Sequence, residues 1–261
     1  MTMTMTQMRC IQILLCLFLT SCFANQKPTT SQILQTKLEE ANLFDNTRAR
    51  PVPVALYSPG NNENSRNQKL VVISHGYGGN KGKSNLDYSY LAENLASKGY
   101  FVVSVQHELA TDSLLPLTGI PQIVRRTNWE RGVANILFVI NELKRMRPAL
   151  DYKHVTLIGH SNGGDITMLF AQKYPSLVEK VISLDSRRVV FPRTKRPKVY
   201  SLRSNDYSAD KDVLPTSTEQ AKYGITIIKS ANTGHSDMDD SGKKEQKEEI
   251  NNYILGFIND N

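Results

Sequence analysis

From residue 52 onward, apolar runs of strand length are interspersed with segments of helical periodicity, and this pattern constrains the fold more than any other feature. The strand-like runs are 52–57, 70–74, 100–105, 155–158, 181–184, 199–202 and 225–228; helical patterns occupy 86–98, 129–146, 163–174 and 247–258. Leu70-Val71-Val72-Ile73 shows no polar alternation, as expected of a strand covered on both faces. The segment 129–146 sets Val133, Ile136, Leu137, Ile140 and Leu143 on one helix face. Strand and helix repeated in this way predict parallel strands joined by crossover helices: an α/β domain with a doubly wound, mostly parallel sheet. Its expected span is 51–261, preceded by a polar segment at 25–50 with a helical patch at 32–43. No second core or internal repeat is visible.

Composition narrows the choices. With 39% apolar and 22% charged residues, the chain has enough apolar material for a packed core. No run of 18 or more apolar residues occurs. The three cysteines, Cys10, Cys16 and Cys22, all precede residue 23, which excludes a disulfide scaffold, a Cys-ligated zinc site and a cysteine nucleophile downstream. Arg9 followed by the short apolar run 11–19 predicts a signal peptide over residues 1–24. Two endings stay open: cleavage after Ala24, or a lipobox-like Leu19-Thr20-Ser21-Cys22 that puts a lipid on Cys22. Either way the expected location is exported: periplasmic, secreted or lipid-anchored. Loss of 1–24 lowers the formal net charge from +7 to +6, which favours anionic partners or membrane faces.

The chemistry concentrates at Gly159-His160-Ser161-Asn162-Gly163, a Gly-x-Ser-x-Gly pentapeptide between an apolar strand and a helical segment. So tight a turn strains the central residue, and side chains at the flanking glycines would collide with neighbouring elements. Ser161 is thereby presented at a helix N-terminus, where developing negative charge is favoured. A serine hydroxyl needs a base. Of five histidines, His235, in the loop after the last strand, is the one able to reach back over the sheet edge. Asp206, just past the penultimate strand run, is the expected acid that orients it; Asp185 and Asp210 stay open as alternatives. An oxyanion hole needs two backbone N–H groups. Asn162 follows the nucleophile, and Tyr77 lies in His75-Gly76-Tyr77-Gly78-Gly79, whose glycines permit close backbone approach.

Together with Ser74-His75-Gly76-Tyr77-Gly78-Gly79, the run from Leu91 to Tyr100 and Thr233-Gly234-His235, this pentapeptide resembles the α/β-hydrolase superfamily. Within it the chain is similar to a lid-less group: platelet-activating-factor acetylhydrolases, chlorophyllases and bacterial polyester hydrolases. The resemblance implies an α/β-hydrolase fold and the chain order Ser, Asp, His. Asp206 matches the acid position of the polyester hydrolases, and Asp185 that of the acetylhydrolases and chlorophyllases.

The short stretch between Asp185 and Val199 leaves no room for a cap domain, so the site is expected to be open. The same stretch is basic, with Arg187, Arg188, Arg193, Lys195, Arg196 and Lys198. It reads either as a solvated loop or as a place where Arg187 or Arg188 holds an anionic group. Trp129 and Arg131 read as a packing anchor and a salt-bridge partner. The expected activity is hydrolysis of a carboxylic ester through a Ser-His-Asp triad and an acyl-enzyme, without metal or cofactor. Alternatives are a non-catalytic binding protein on the same fold, or an amidase or peptidase with the same triad. The expected partners are a small-molecule or lipid-like ester and a membrane face reached peripherally or through a lipid anchor, with no nucleic acid; the chain is expected to be a monomer.

Overall fold

A computed structural model describes residues 35–60 and 67–260. The expected signal segment, both of its endings and most of the polar insert at 61–68 lie outside the described residues.

One eight-stranded sheet organises the chain. Its strands are β1 (Thr36–Asp45), β2 (Arg50–Pro59), β3 (Lys69–Ser74), β4 (Phe101–Val105), β5 (Asp151–His160), β6 (Lys180–Leu184), β7 (Lys198–Arg203) and β8 (Thr226–Lys229). Across the sheet they run β1-β2-β4-β3-β5-β6-β7-β8. β1 and β2 pair antiparallel, as do β2 and β4. From β4 to β8 every pairing is parallel. The helices are α1 (Ser89–Ser97), α2 (Pro121–Val124), α3 (Arg126–Met146), α4 (Asn162–Lys173), α5 (Ser217–Tyr223) and α6 (Lys244–Asn259). The sheet is doubly wound and mostly parallel, as the alternation predicts.

The unbroken apolar runs are explained by what covers each face. Leu70, Val72 and Leu157 pack with Trp129, Val133 and Ile136 of α3 and with Ile166 and Phe170 of α4. The intervening Val71, Ile73 and Ile158 pack with Leu91 and Leu95 of α1 and with Ile250 and Ile254 of α6. Successive strand residues point to opposite faces, so a sheet with helices on both sides needs apolar residues at every position.

Three elements differ from the sequence expectation, one of them the single-turn helix α2, for which no helix is expected. The described part of the patch at 32–43 is not helical: residues 36–45 form β1, paired with β2 over ten residues from Thr36↔Pro59 to Asp45↔Arg50, and 32–34 lie outside the described residues. The sheet therefore starts ahead of the expected boundary at residue 51. Leu38 and Ala41 do share a helix face, but the ladder of backbone hydrogen bonds to β2 outweighs that weak local preference. The third element is α5, for which no helix is expected either. Thr216 accepts from the Glu219 N–H and Glu219 returns a bond to the Thr216 N–H, a capping box readable as Thr216-x-x-Glu219.

This layering sets an expected stability pattern. Leu157→Ala, at a fully buried position of a central strand, lowers the unfolding free energy by about 3 kcal/mol in urea titrations. Leu38→Ala, on the exposed part of edge strand β1, changes it by less than about 0.5 kcal/mol. Equal losses at both positions would contradict the face assignment.

Candidate active site

β5 ends at His160 and α4 begins at Asn162, so a single residue, Ser161, makes the turn. Its backbone sits at φ 51° and ψ −117°, a conformation that side-chain-bearing residues rarely adopt. The flanking glycines make this geometry possible. A Cβ on Gly159 would lie 2.3 Å from the Gly163 carbonyl oxygen, and one on Gly163 would lie 2.2 Å from that of Ser74 at the end of β3.

The hydroxyl so presented meets His235. Ser161 Oγ lies 3.0 Å from His235 Nε2, and His235 Nδ1 lies 2.6 Å from Asp185 Oδ2. Asp185 is fully buried at the carboxyl end of β6. Its Oδ2 also accepts from the Ser204 hydroxyl and its Oδ1 from the Ser204 N–H. Arg203 Nη2 stands 2.7 Å from Oδ1 as an ion pair, outside hydrogen-bond alignment. Burial alone raises the Asp185 carboxyl; the bond to His235, the Arg203 charge and the Ser204 donors together overcome it and hold the group below the usual carboxylate range. Asp185 thus stays ionised against the imidazole.

Asp206, the acid expected from sequence, does not touch that ring. Its Oδ1 accepts the backbone N–H of His235 at 2.8 Å. The chain leaving β7 carries Asp206 outward to an exposed position, whereas Asp185 comes straight off the neighbouring strand beneath the histidine. Asp210 is further removed, paired with Arg188 and bonded to Gln122. The loop bearing His235 is held from below as well: Glu249 of α6 accepts from the Ser230 and Thr233 hydroxyls, and Asp237 from the Gly234 N–H.

On the other side of Ser161 stands the loop after β3. The Tyr88 hydroxyl accepts from the Gly76 N–H at 3.2 Å and donates to His160 Nδ1 at 2.5 Å. His160 is an acceptor because burial, and then its neighbour His235, push it down to about 3. Glu108, just past β4, spans the gap between the two segments expected to donate N–H groups. Its Oε2 accepts from the Gly78 N–H and its Oε1 from Asn162 Nδ2, both at 3.3 Å. Asn162 Oδ1 accepts in turn from the Trp129 indole at 2.9 Å. Trp129 is therefore an anchor that packs and also bonds, and Arg131 pairs with Asp112. As the first residue of α4, Asn162 has no intrahelical acceptor for its N–H. Among the described residues the Tyr77 N–H has no acceptor, while the Tyr77 hydroxyl accepts from the Leu115 N–H. Glu108 carries no recognisable motif, and only the fold brings it between these segments.

Asp165, one turn into α4, fixes the loop that follows Asp185 by accepting the N–H groups of Arg188 and Val189, each at 2.9 Å.

Comparison with known proteins gives a consistent result. The family model of the alpha/beta hydrolase fold matches residues 69–215. A Drosophila melanogaster protein named "Probable serine hydrolase" is 27% identical over 175 residues, covering 63% of this chain and 45% of that protein. A Danio rerio "Serine hydrolase-like protein" is 39% identical over 49 residues, 19% of this chain and 15% of that protein. The chain thus spans less than half the length of either relative. Esterase Est22, solved with p-nitrophenol, superposes with a TM-score of 0.64 at 12% identity, covering 88% of this chain and 84% of that one. A structure from work on two fungal esterases of Rhizomucor miehei gives 0.65 at 13% identity over the same shares. At such identities the likeness to solved structures speaks for the fold.

The buried Asp165 sets a pH dependence. Burial raises its carboxyl from 3.8 to about 6, against the pull of the two N–H donors. A carboxyl that holds its proton more tightly when folded loses stability as pH rises from about 4 to about 6, and the loss is complete above that window. Asp185, shifted the other way, acts only at lower pH. Asp165→Asn keeps an oxygen acceptor and removes the charge. Its unfolding free energy, followed in urea against pH, should gain about 3 kcal/mol on the native protein between those limits. Parallel curves would contradict the shift.

Proposed function

The chain belongs to the alpha/beta hydrolase fold family, and from that premise we propose that it is a serine hydrolase that cleaves carboxylic esters through an acyl-enzyme on Ser161. One observation carries the reading: the continuous line from Ser161 Oγ through the His235 imidazole to the Asp185 carboxylate, at 3.0 and 2.6 Å.

In this reaction His235 Nε2 takes the Ser161 proton as Oγ attacks the ester carbonyl. The imidazolium so formed is stabilised by Asp185, which also holds Nδ1 protonated so that Nε2 is free to accept. The carbonyl π electrons move onto oxygen, and the N–H groups of Tyr77 and Asn162 receive that charge. Collapse breaks the bond to the alcohol oxygen, which leaves with the proton from Nε2. Water, deprotonated by the same nitrogen, then attacks the acyl-serine and releases the acid and the free hydroxyl. The role of Glu108 is to keep the two donor segments in register through Gly78 and the Asn162 side chain. Asp206 acts on the backbone of His235 and holds the ring in place without contacting the reacting atoms.

Support comes from the names of the two relatives and from the strained presentation of Ser161. The acid at Asp185 sides with the resemblance to acetylhydrolases and chlorophyllases. Apolar surface lies close by: Leu114 and Leu117 are exposed on either side of Leu115, whose N–H holds the Tyr77 hydroxyl. An acyl group resting over Tyr77 meets these side chains.

Hydrolysis of a short-chain nitrophenyl ester, together with fluorophosphonate labelling, tests the assignment. Ser161→Ala abolishes labelling. Asp185→Asn lowers kcat by about 10⁴, because the imidazole loses its productive tautomer. Asp206→Ala, which loosens only a backbone contact, lowers it by less than about tenfold. A greater loss for Asp206→Ala than for Asp185→Asn, or persistent labelling without Ser161, would overturn the proposal.

A further inference from the structure

Among the described residues, the basic loop after Asp185 holds cations that already have partners and three that have none: Lys195 and Arg196, exposed beside Lys153 and Glu179 away from Ser161, and Arg187 beside the site. Arg188 is paired with Asp210. Arg193 caps the carbonyl oxygens of Phe191, Val213 and Leu214 and reaches Glu219. Lys198 lies at Asp260. Arg203, on the adjoining strand, is engaged with Asp185 and the Ser186 carbonyl. Arg187 has no carboxylate within ion-pair distance and no side-chain hydrogen bond among the described residues.

It is nevertheless held in place. The Arg187 guanidinium carbon lies 4.4 Å from the centre of the Tyr207 ring. That ring meets His235 edge-on, with centres 5.2 Å apart. Arg187 is half-buried and Tyr207 half-exposed, so the pair forms a wall on the histidine side of Ser161, with its cation open to solvent. The backbone beneath is held on both sides: the Ser186 N–H donates to the Ser183 hydroxyl, the Arg188 and Val189 N–H groups donate to Asp165, and the Arg187 carbonyl accepts from the Asp210 N–H. A guanidinium stacked on an aromatic face, preset and unpaired, presents its N–H groups in the planar fork that suits an anionic oxygen pair.

The position says which part of a substrate it meets. In the reaction proposed above, the departing alcohol takes its proton from His235 and therefore passes over that ring. We propose that Arg187 is a specificity residue for esters whose alcohol part carries a carboxylate, with Tyr207 as its platform. The inference rests on the hydrolase reading and goes further by naming a substrate class. Arg187 binds the ester and takes no part in bond breaking.

The probes are 4-acetoxybenzoate and its methyl ester, which share acyl group and ring and differ in charge. The quantity read is the ratio of kcat/KM for the charged over the neutral ester, so intrinsic reactivity cancels between variants. Arg187→Gln lowers this ratio by about tenfold or more, as expected for loss of a charge-assisted contact, and the loss appears chiefly in KM. Arg187→Lys keeps the charge but not the fork and falls between the two. Added salt narrows the native preference. With Ser161→Ala protein, calorimetry finds weaker binding of 4-acetoxybenzoate when Arg187→Gln is added. A ratio that moves by less than about twofold, in a native protein that labels with fluorophosphonate at Ser161, overturns the role of Arg187 alone. Failure to label or to hydrolyse either ester overturns the hydrolase reading and this inference with it.

Discussion

The site depends on how closely three backbones approach one another at the end of β5. With Gly159 against Gly163, and Gly163 against Ser74 of β3, the chain passes from strand to helix within one residue. No looser turn fits between β3 and α4. Ser161 accepts an unfavourable φ, and the packed sheet and helix stabilise it enough to offset the strain. Its hydroxyl then stands above the sheet edge at the N-terminal end of a helix, where a negative charge is favoured.

Two separate hydrogen-bond networks grip this turn from opposite sides. On the β3 side, Tyr88 joins Gly76 to His160, and Glu108 joins Gly78 to Asn162, which Trp129 holds from α3. On the β6 side, Ser204 and Arg203 surround Asp185, and Asp165 fixes the loop leading away from it. Each network links elements remote in sequence, and each is anchored on strands whose positions the core already determines. Such preorganisation keeps donors in place before charge develops, so little is lost in reorienting them.

Charge is distributed with the same economy. Asp185 is buried yet held ionised by its donors, while burial keeps His160 neutral 4.7 Å from the His235 ring. A second imidazolium there would compete for Asp185 and oppose protonation of His235. The Glu108 carboxyl is raised by burial, against the opposing influence of His75 and the Gly78 N–H. The His235 ring, which changes its charge in the proposed reaction, thus has a fixed anion on one side and an uncharged aromatic on the other.

Much of this was legible in residue order. Unbroken apolar strands alternating with amphipathic helices imply a parallel sheet covered on both faces, and Gly159-x-Ser161-x-Gly163 between strand and helix marks the candidate nucleophile, because only local backbone geometry is involved. His235 follows from its position after the last strand. The choice of acid was not legible: Asp185 and Asp206 both end strand runs, and only the packing of β6 beside β5 puts one beneath the imidazole while the other turns outward to a backbone N–H. Edge strand β1 is not legible for a related reason, since its pairing with β2 lies outside its own sequence window. Glu108, and the separation of Arg187 from its paired neighbours, likewise required distant side chains to be brought together. Local pattern determines elements and turns; which polar groups face one another across a sheet edge is decided by tertiary packing, because those contacts join residues that no sequence spacing relates.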